Sequence, residues 1–205
     1  MSALALAACS YPVEPPPAEA VPVITAYTNK VPGKWLLIVD AGKATAALSA
    51  EGARCSRSDY PLDLSKAFAE MASATFKTLA EEVRLSDHAL SKSEMVSGGY
   101  TGVIVVTVAE MRASAKTDGL VEARASAETE IDGTILVAKQ GERMVDSRQT
   151  GKGDAERDTH IDCSGTGEAV AAASDTAMHD VIAKLGEQFA NSHAIRYSIP
   201  GLSPQ

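Results

Sequence analysis

The chain has 205 residues, a length that fits one domain once its ends are set aside. Its formal net charge of −8 excludes a nucleic-acid binder, which carries basic patches, and excludes electrostatic attachment to anionic headgroups. Hydrophobic residues make up 45% but aromatics only 4%, so the core is expected to be aliphatic, and no apolar run approaches the roughly 20 residues of a membrane-spanning helix.

Near its start the chain reads Leu6, Ala7, Ala8, Cys9 and Ser10. An apolar residue three before a cysteine, with two small residues between, resembles the lipobox of bacterial lipoprotein signal peptides. The resemblance implies cleavage before Cys9, a diacylglycerol thioether on its sulfur and an acylated new N-terminus. Two or three acyl chains anchor a protein stably where one does not. Residues 1–9 are then the remnant of a lipoprotein signal peptide with its lipobox. Residues 10–33 hold six of the nine prolines, namely Pro12, Pro15, Pro16, Pro17, Pro22 and Pro32. Such a stretch favours extended polyproline II and excludes helix, so it reads as a tether. A single periplasmic α/β domain is expected over 34–197, and a loose tail over 198–205.

Within the domain, Trp35 to Val39 is a short apolar run ending at Asp40, Ala41 and Gly42, the pattern of a buried strand. Residues 43–51 suit a second, antiparallel strand, and Gly52 to Asp59 a loop carrying Cys55. Pro61 and Asp63 open a helix with Asp63 as N-cap. Its buried face is Leu64, Phe68, Met71, Ala72, Thr75, Leu79 and Val83. Residues 84–97 are polar and ambiguous, and Gly98 and Gly99 punctuate. Tyr100 to Met111, rich in valine on both faces, predicts a central strand. Lys116 to Gly119 reads as a turn. Val121, Ala123, Ala125, Ala127, Thr129 and Ile131 then alternate with Glu122, Arg124, Ser126, Glu128, Glu130 and Asp132. Period two over that length predicts a strand with one face buried and one in water. Asp132 and Gly133 suit a bulge or break in a strand that continues through Val137. A turn at Gln140 to Glu142 leads to a strand from Met144 to about Thr150. Gly151 to Gly167 reads as a polar loop carrying Cys163, and Glu168 to His193 as a second amphipathic helix. The order predicts an α+β fold: a two-layer α/β sandwich, mainly antiparallel sheet, with two amphipathic helices on one face.

Cys9 belongs to the lipobox, which leaves Cys55 and Cys163 as one pair. In an oxidising compartment a pair is most simply a disulfide, against two buried thiols or half of a metal site. Each cysteine precedes a predicted helix, so the two loops meet if both helices lie on one sheet face with their N-termini at the same end. The four histidines are His88, His160, His179 and His193. His160 with Asp162 and Cys163 is the tightest local cluster, but Cys163 already has Cys55 as partner. His179 beside Asp180 reads as a helix-surface residue, and His193 as a helix-end cation. No nucleophile-elbow, zincin or phosphate-loop motif occurs. The expectation is a protein that is not an enzyme, with no catalytic residue, metal site or cofactor.

In layout the chain resembles the YajG-like lipoproteins of the Gram-negative outer membrane. More loosely it resembles auxiliary lipoproteins of ABC-type envelope transport and curli-secretion-like lipoproteins. The likeness rests on Leu6 to Cys9, the helix from Leu64 to Val83, the strands from Val103 to Thr150 and the helix from Glu168 to His193. It implies a lipid-anchored, non-catalytic binding or structural module of the envelope, attached to the membrane by Cys9 and working beside an envelope protein partner. Ser10, where inner-membrane lipoproteins carry Asp, implies the periplasmic face of the outer membrane. The alternative is a self-assembling ring or pore, for which the alternating run from Val121 to Ile131 has the length.

Overall fold

The structure is a computed structural model that describes residues 10–15, 17–52, 55–56, 58–119, 123–159 and 163–197. In chain order the elements are β1 (Val31–Asp40), β2 (Thr45–Ser49), β3 (Glu51–Gly52), β4 (Asp59–Asp63), α1 (Ser65–Leu79), β5 (Ala80–Ser86), α2 (Lys92–Ser97), β6 (Gly102–Asp118), β7 (Ala123–Lys139), β8 (Glu142–Thr159), α3 (Ser164–Ala190) and α4 (His193–Tyr197). The main sheet runs β5-β1-β6-β7-β8, with β3 added beside the distal part of β6, while β2 and β4 pair separately. The long β6-β7-β8 meander is antiparallel, and β1 is parallel to both β5 and β6. α1 lies over β1 and β5, and α3 over β7 and β8, which gives the expected two-layer sandwich.

β7 is the period-two segment. Ala123, Ala125, Ala127, Thr129 and Ile131 are buried, while Arg124 and Glu128 are exposed; Val121 and Glu122 lie outside the described residues. Asp132 and Gly133 do not break the strand. The irregularity is on its neighbour, where Ala109 is the extra residue between the pairs Val108 with Gly133 and Glu110 with Asp132. This bulge switches the buried face of β6 from Ile104, Val106 and Val108 to Ala115 and Thr117. Gln140 and Gly141, at φ 51° and 87°, form the two-residue turn between the paired Lys139 and Glu142.

Four expectations need correction. Asp59–Asp63 is strand β4, and α1 starts one residue later than a cap at Asp63 would place it; Leu64 is the N-cap, and the Asp63 carboxylate accepts from Ser65 N–H at 2.9 Å. α1 ends at Leu79, and Val83 belongs to β5, whose edge pairing with β1 overrides the helical spacing. Lys116 to Asp118 continues β6. Residues 151–159, read as loop for their glycines and charges, are the second half of β8 and pair with Ala123 to Ile131. A Cβ at Gly151 or Gly153 would overlap the carbonyl oxygens of Ala177 or Ala173, so these glycines admit the backbone of α3 rather than a turn. Gly133 does the same for Val181 and Leu185.

The proline-rich segment is not a free tether. Val13 and Val21 are 6% and 5% exposed and belong to the core. Val21 N–H donates to Thr75 Oγ1 at 2.9 Å, while the same hydroxyl donates to Met71 O at 2.8 Å. Val23 sits over Gly186 beside Leu79, where a side chain on residue 186 would collide with it. Asn191 brackets the segment by accepting from Ala26 N–H at 2.7 Å and donating to Ile24 O at 3.0 Å. Proline removes helix from this stretch, as expected, but valines between the prolines give it apolar anchors. Residues 198–205, expected as a loose tail, lie outside the described residues.

Cys55 and Cys163 form a disulfide with Cα atoms 5.7 Å apart. Phe76 of α1 packs against Phe189 of α3 at 5.6 Å, and Trp35 meets Phe189 edge-on at 5.4 Å. The two helices therefore run parallel, with the disulfide at their N-terminal ends and the aromatic cluster at their C-terminal ends.

Gly153→Val should lower stability by at least about 2 kcal/mol, because α3 must lift from β8, whereas Glu128→Lys should change it by less than about 0.5 kcal/mol. Urea unfolding followed by circular dichroism checks both, and equal losses would contradict the helix seat. Replacing Cys55 and Cys163 together by Ser should cost about 2–5 kcal/mol. Digestion without reductant should release one linked peptide containing both cysteines; two alkylatable thiols would refute the pairing.

Candidate functional site: the open face of the sheet

α3 covers one face of β7 and β8, which leaves the other face of the meander to water. Beyond the bulge, that face carries alternating charge from three strands. Arg112 on β6 donates to Glu130 on β7 at 3.0 Å and to Glu110 at 3.2 Å. Lys152 on β8 reaches Glu130 at 3.2 Å. Arg112, Glu130 and Lys152, together with Ser126, Glu128 and Asp154, line an open groove of about 540 Å³. The hydrogen bond from Lys152, followed by that from Arg112, holds the Glu130 carboxyl below the usual carboxylate range.

At the bulge the network turns inward. The Asp132 side chain is only 9% exposed. It accepts from Thr150 Oγ1 and Arg148 Nη2, and lies 3.9 Å from Arg112. These contacts, Thr150 first, lower its pKa against the opposing cost of burial. Sequence reasoning places Asp132 at a strand break and not as a linchpin; its signal is the water-facing phase it shares with Arg148 and Thr150, which Arg112 joins only through the β6 bulge. Chemically the face is a ladder of charges in which Glu130 is paired with Arg112 and Lys152 while Glu128 and Asp154 stand opposite each other, suited to polar contact with a protein surface.

The candidate residues from the sequence are placed as follows. Cys9, His160 and Asp162 lie outside the described residues. Cys55 and Cys163 are joined, so Cys163 offers no thiol to a neighbouring histidine. His88 is exposed after β5 and contacts Asp87. His179 on α3 contacts Asp175 at 3.4 Å, one turn earlier. His193 is exposed at the start of α4, where its ring meets Tyr27 edge-on. These three sit on different elements. Among the described residues no group of three metal-ligating side chains converges, and no helix is long and apolar enough to cross a membrane.

No family model matches the chain, and no curated protein matches it. Among solved structures it is similar to a Xanthomonas campestris protein of the DUF330 family, at 12% identity and TM-score 0.49, over 87% of this chain and 92% of that one. It is also similar to a hypothetical protein from Chlamydia trachomatis, at 10% identity and TM-score 0.37, over 76% and 96%. A third is a minor lipoprotein from Acinetobacter baumannii, at 11% identity and TM-score 0.34, over 89% and 100%. At these scores the likenesses carry no functional weight.

Asp132→Asn should cost about 1–3 kcal/mol at neutral pH, because charge-assisted hydrogen bonds are lost at a buried site. The folded carboxyl titrates below its ordinary value of 3.8. The stabilisation is therefore full above that pH and is lost as pH falls through the lower folded-state value. Stability curves of the wild type and the Asn variant should converge in acid below pH 3.8; a gap that stays constant into acid would refute the charged role.

Proposed function

We propose that the chain is a lipid-anchored accessory protein of the bacterial envelope that does no chemistry and works by contact with another envelope protein. Acyl chains on Cys9 hold it at the membrane. The observation that carries this reading is the run Leu6, Ala7, Ala8, Cys9, Ser10 directly ahead of a segment seated on a folded domain. The disulfide, which belongs in an oxidising compartment, supports it. The charged open face of β6, β7 and β8 is the surface offered to the partner, by electrostatic complementarity. Ser10 directs the protein to the outer membrane, and the layout suits a YajG-like or transport-auxiliary lipoprotein.

The ring or pore alternative fits less well. A membrane-crossing strand must turn an apolar face to lipid. The apolar face of β7 lies under α3, and its other face carries Arg124, Glu128 and Glu130.

Expressed in a Gram-negative host behind a complete lipoprotein signal peptide, the protein should partition into detergent and co-fractionate with outer membrane. Cys9→Ala should release it or leave it unprocessed. If the Cys9→Ala protein fractionates and migrates as before, the lipid anchor is wrong; recovery of the wild type from the inner membrane would reject only the sorting role of Ser10.

A further inference from the structure

The proline-rich segment is fixed at both ends of the domain. At one end Ser10 bridges to Asp59, Tyr11 N–H donates to Asp59 O at 2.9 Å, and Val13 N–H donates to Pro61 O at 3.2 Å. The Tyr11 ring stacks on Tyr60 with centroids 5.9 Å apart. This lays the segment beside β4 as a further extended strand. It is also the disulfide end, because the Tyr60 hydroxyl donates to Cys163 O at 3.3 Å. At the other end, Ile24 and Ala26 are clamped by Asn191 at the C-terminus of α3. There the Arg196 guanidinium lies 4.0 Å from the Tyr27 ring centre and donates to Ala190 O and Asn29 O.

Lengths agree with this path. The 27 residues of α3 span about 40 Å at 1.5 Å per residue. Residues 10–26 in extended polyproline form reach about 50 Å. The segment is thus taken up in running the length of the domain, and little of it is left as spacer. Cys9 is one peptide unit from Ser10, with Cα atoms about 3.8 Å apart.

Resting on the reading of Cys9 as lipidated, we propose that the segment is a strap that seats the domain directly on the bilayer surface by its disulfide end. The β2–β4 pair then lies at the headgroups, and the Tyr27 and Arg196 end stands about 40 Å away, facing the aqueous compartment. A net charge of −8 does not draw the chain to anionic lipid. The acyl chains supply the attachment, and the docked strap sets the orientation.

The test uses the full lipidated protein, purified with its native acyl groups and reconstituted into phosphatidylethanolamine vesicles with a minor phosphatidylglycerol fraction. A fluorophore is placed on Ser49→Cys, at the β2–β4 end, or on Thr28→Cys, at the opposite end. Both positions are exposed, and retention of the Cys55 to Cys163 link is checked by peptide mapping. Headgroup nitroxides should quench the Ser49 label at least about threefold more than the Thr28 label, given a separation near the length of α3. A flexible Gly/Ser spacer of about 20 residues between Cys9 and Ser10, roughly 25 Å in mean reach, should bring the two labels close to equality without touching the fold. Equal or reversed quenching in wild-type protein that floats with vesicles would overturn the strap while leaving the anchor in place. Unchanged Ser49 quenching with the spacer would also overturn it, because the domain would then adhere by its own surface. Protein that fails to float and lacks the diacyl mass would defeat the lipid reading itself, and the orientation with it.

Discussion

The fold depends on how closely α3 can approach the sheet. The helix brings small side chains such as Ala173, Ala177 and Val181 against the sheet, and these leave a void unless the backbones come together. Gly133, Gly151 and Gly153 remove the side chains that would hold them apart. Ala173 and Ala177 then meet the β8 backbone directly, while Val181 and Leu185 settle over Gly133. With few aromatics in the chain, this backbone-level contact replaces the bulk that larger side chains supply elsewhere. Three of the five buried aromatic residues among those described, Trp35, Phe76 and Phe189, join two layers by linking β1, α1 and α3.

With α3 seated, the remaining parts act at its two ends. The disulfide ties the N-terminal end of α3 to the loop ahead of β4, across a separation of 108 residues. It lowers the entropy of the unfolded chain where the contacts are most distant in sequence. At the C-terminal end, Lys30 donates to Lys77 O near the close of α1, and Arg196 donates to Ala190 O at the close of α3. The partial negative charge of two parallel helix termini is thus met by two cations held on neighbouring segments. The proline-rich segment joins these ends along the helix layer, so it is a structural part of the domain.

What the sequence made legible follows from periodicity. The alternation from Ala123 to Ile131, the valine-rich strand β6 and the buried stripe of α3 each repeat long enough for one face to be assigned. The two cysteines, each set before a helix, made the parallel placement of the helices the condition for a disulfide, and the structure meets it. Where composition and structure part, the physical cause is one: tertiary contact overrides local composition. Gly151 and Gly153 resemble turn glycines until a helix is known to cross them. Six prolines resemble a spacer, although Val13, Val21 and Val23 recur among them as docking residues. Val83 continues the helical spacing of α1 only by coincidence of phase. A local signal does mark α2: Ser91 and Glu94 form a reciprocal capping box that starts it within a polar, aperiodic stretch. On the open face, charge type was readable but the convergence on Asp132 was not, because it requires the β6 bulge that brings Arg112 into phase with Arg148 and Thr150.

The same seat of α3 protects the edge of the sheet. β8 is a long edge strand, and a row of unpaired N–H and C=O groups there would template pairing with another chain. Two side chains of α3 reach around to the edge at its midpoint. Asp180 accepts from Lys152 N–H at 3.1 Å, and Lys184 donates to Thr150 O at 2.8 Å, while the two are themselves paired at 2.8 Å. A third strand added at that point would have to displace an ion pair and both of its backbone contacts. Pairing by strand addition is thereby obstructed in the middle of β8, and the open charged face is left as the broad surface of the meander available for contact.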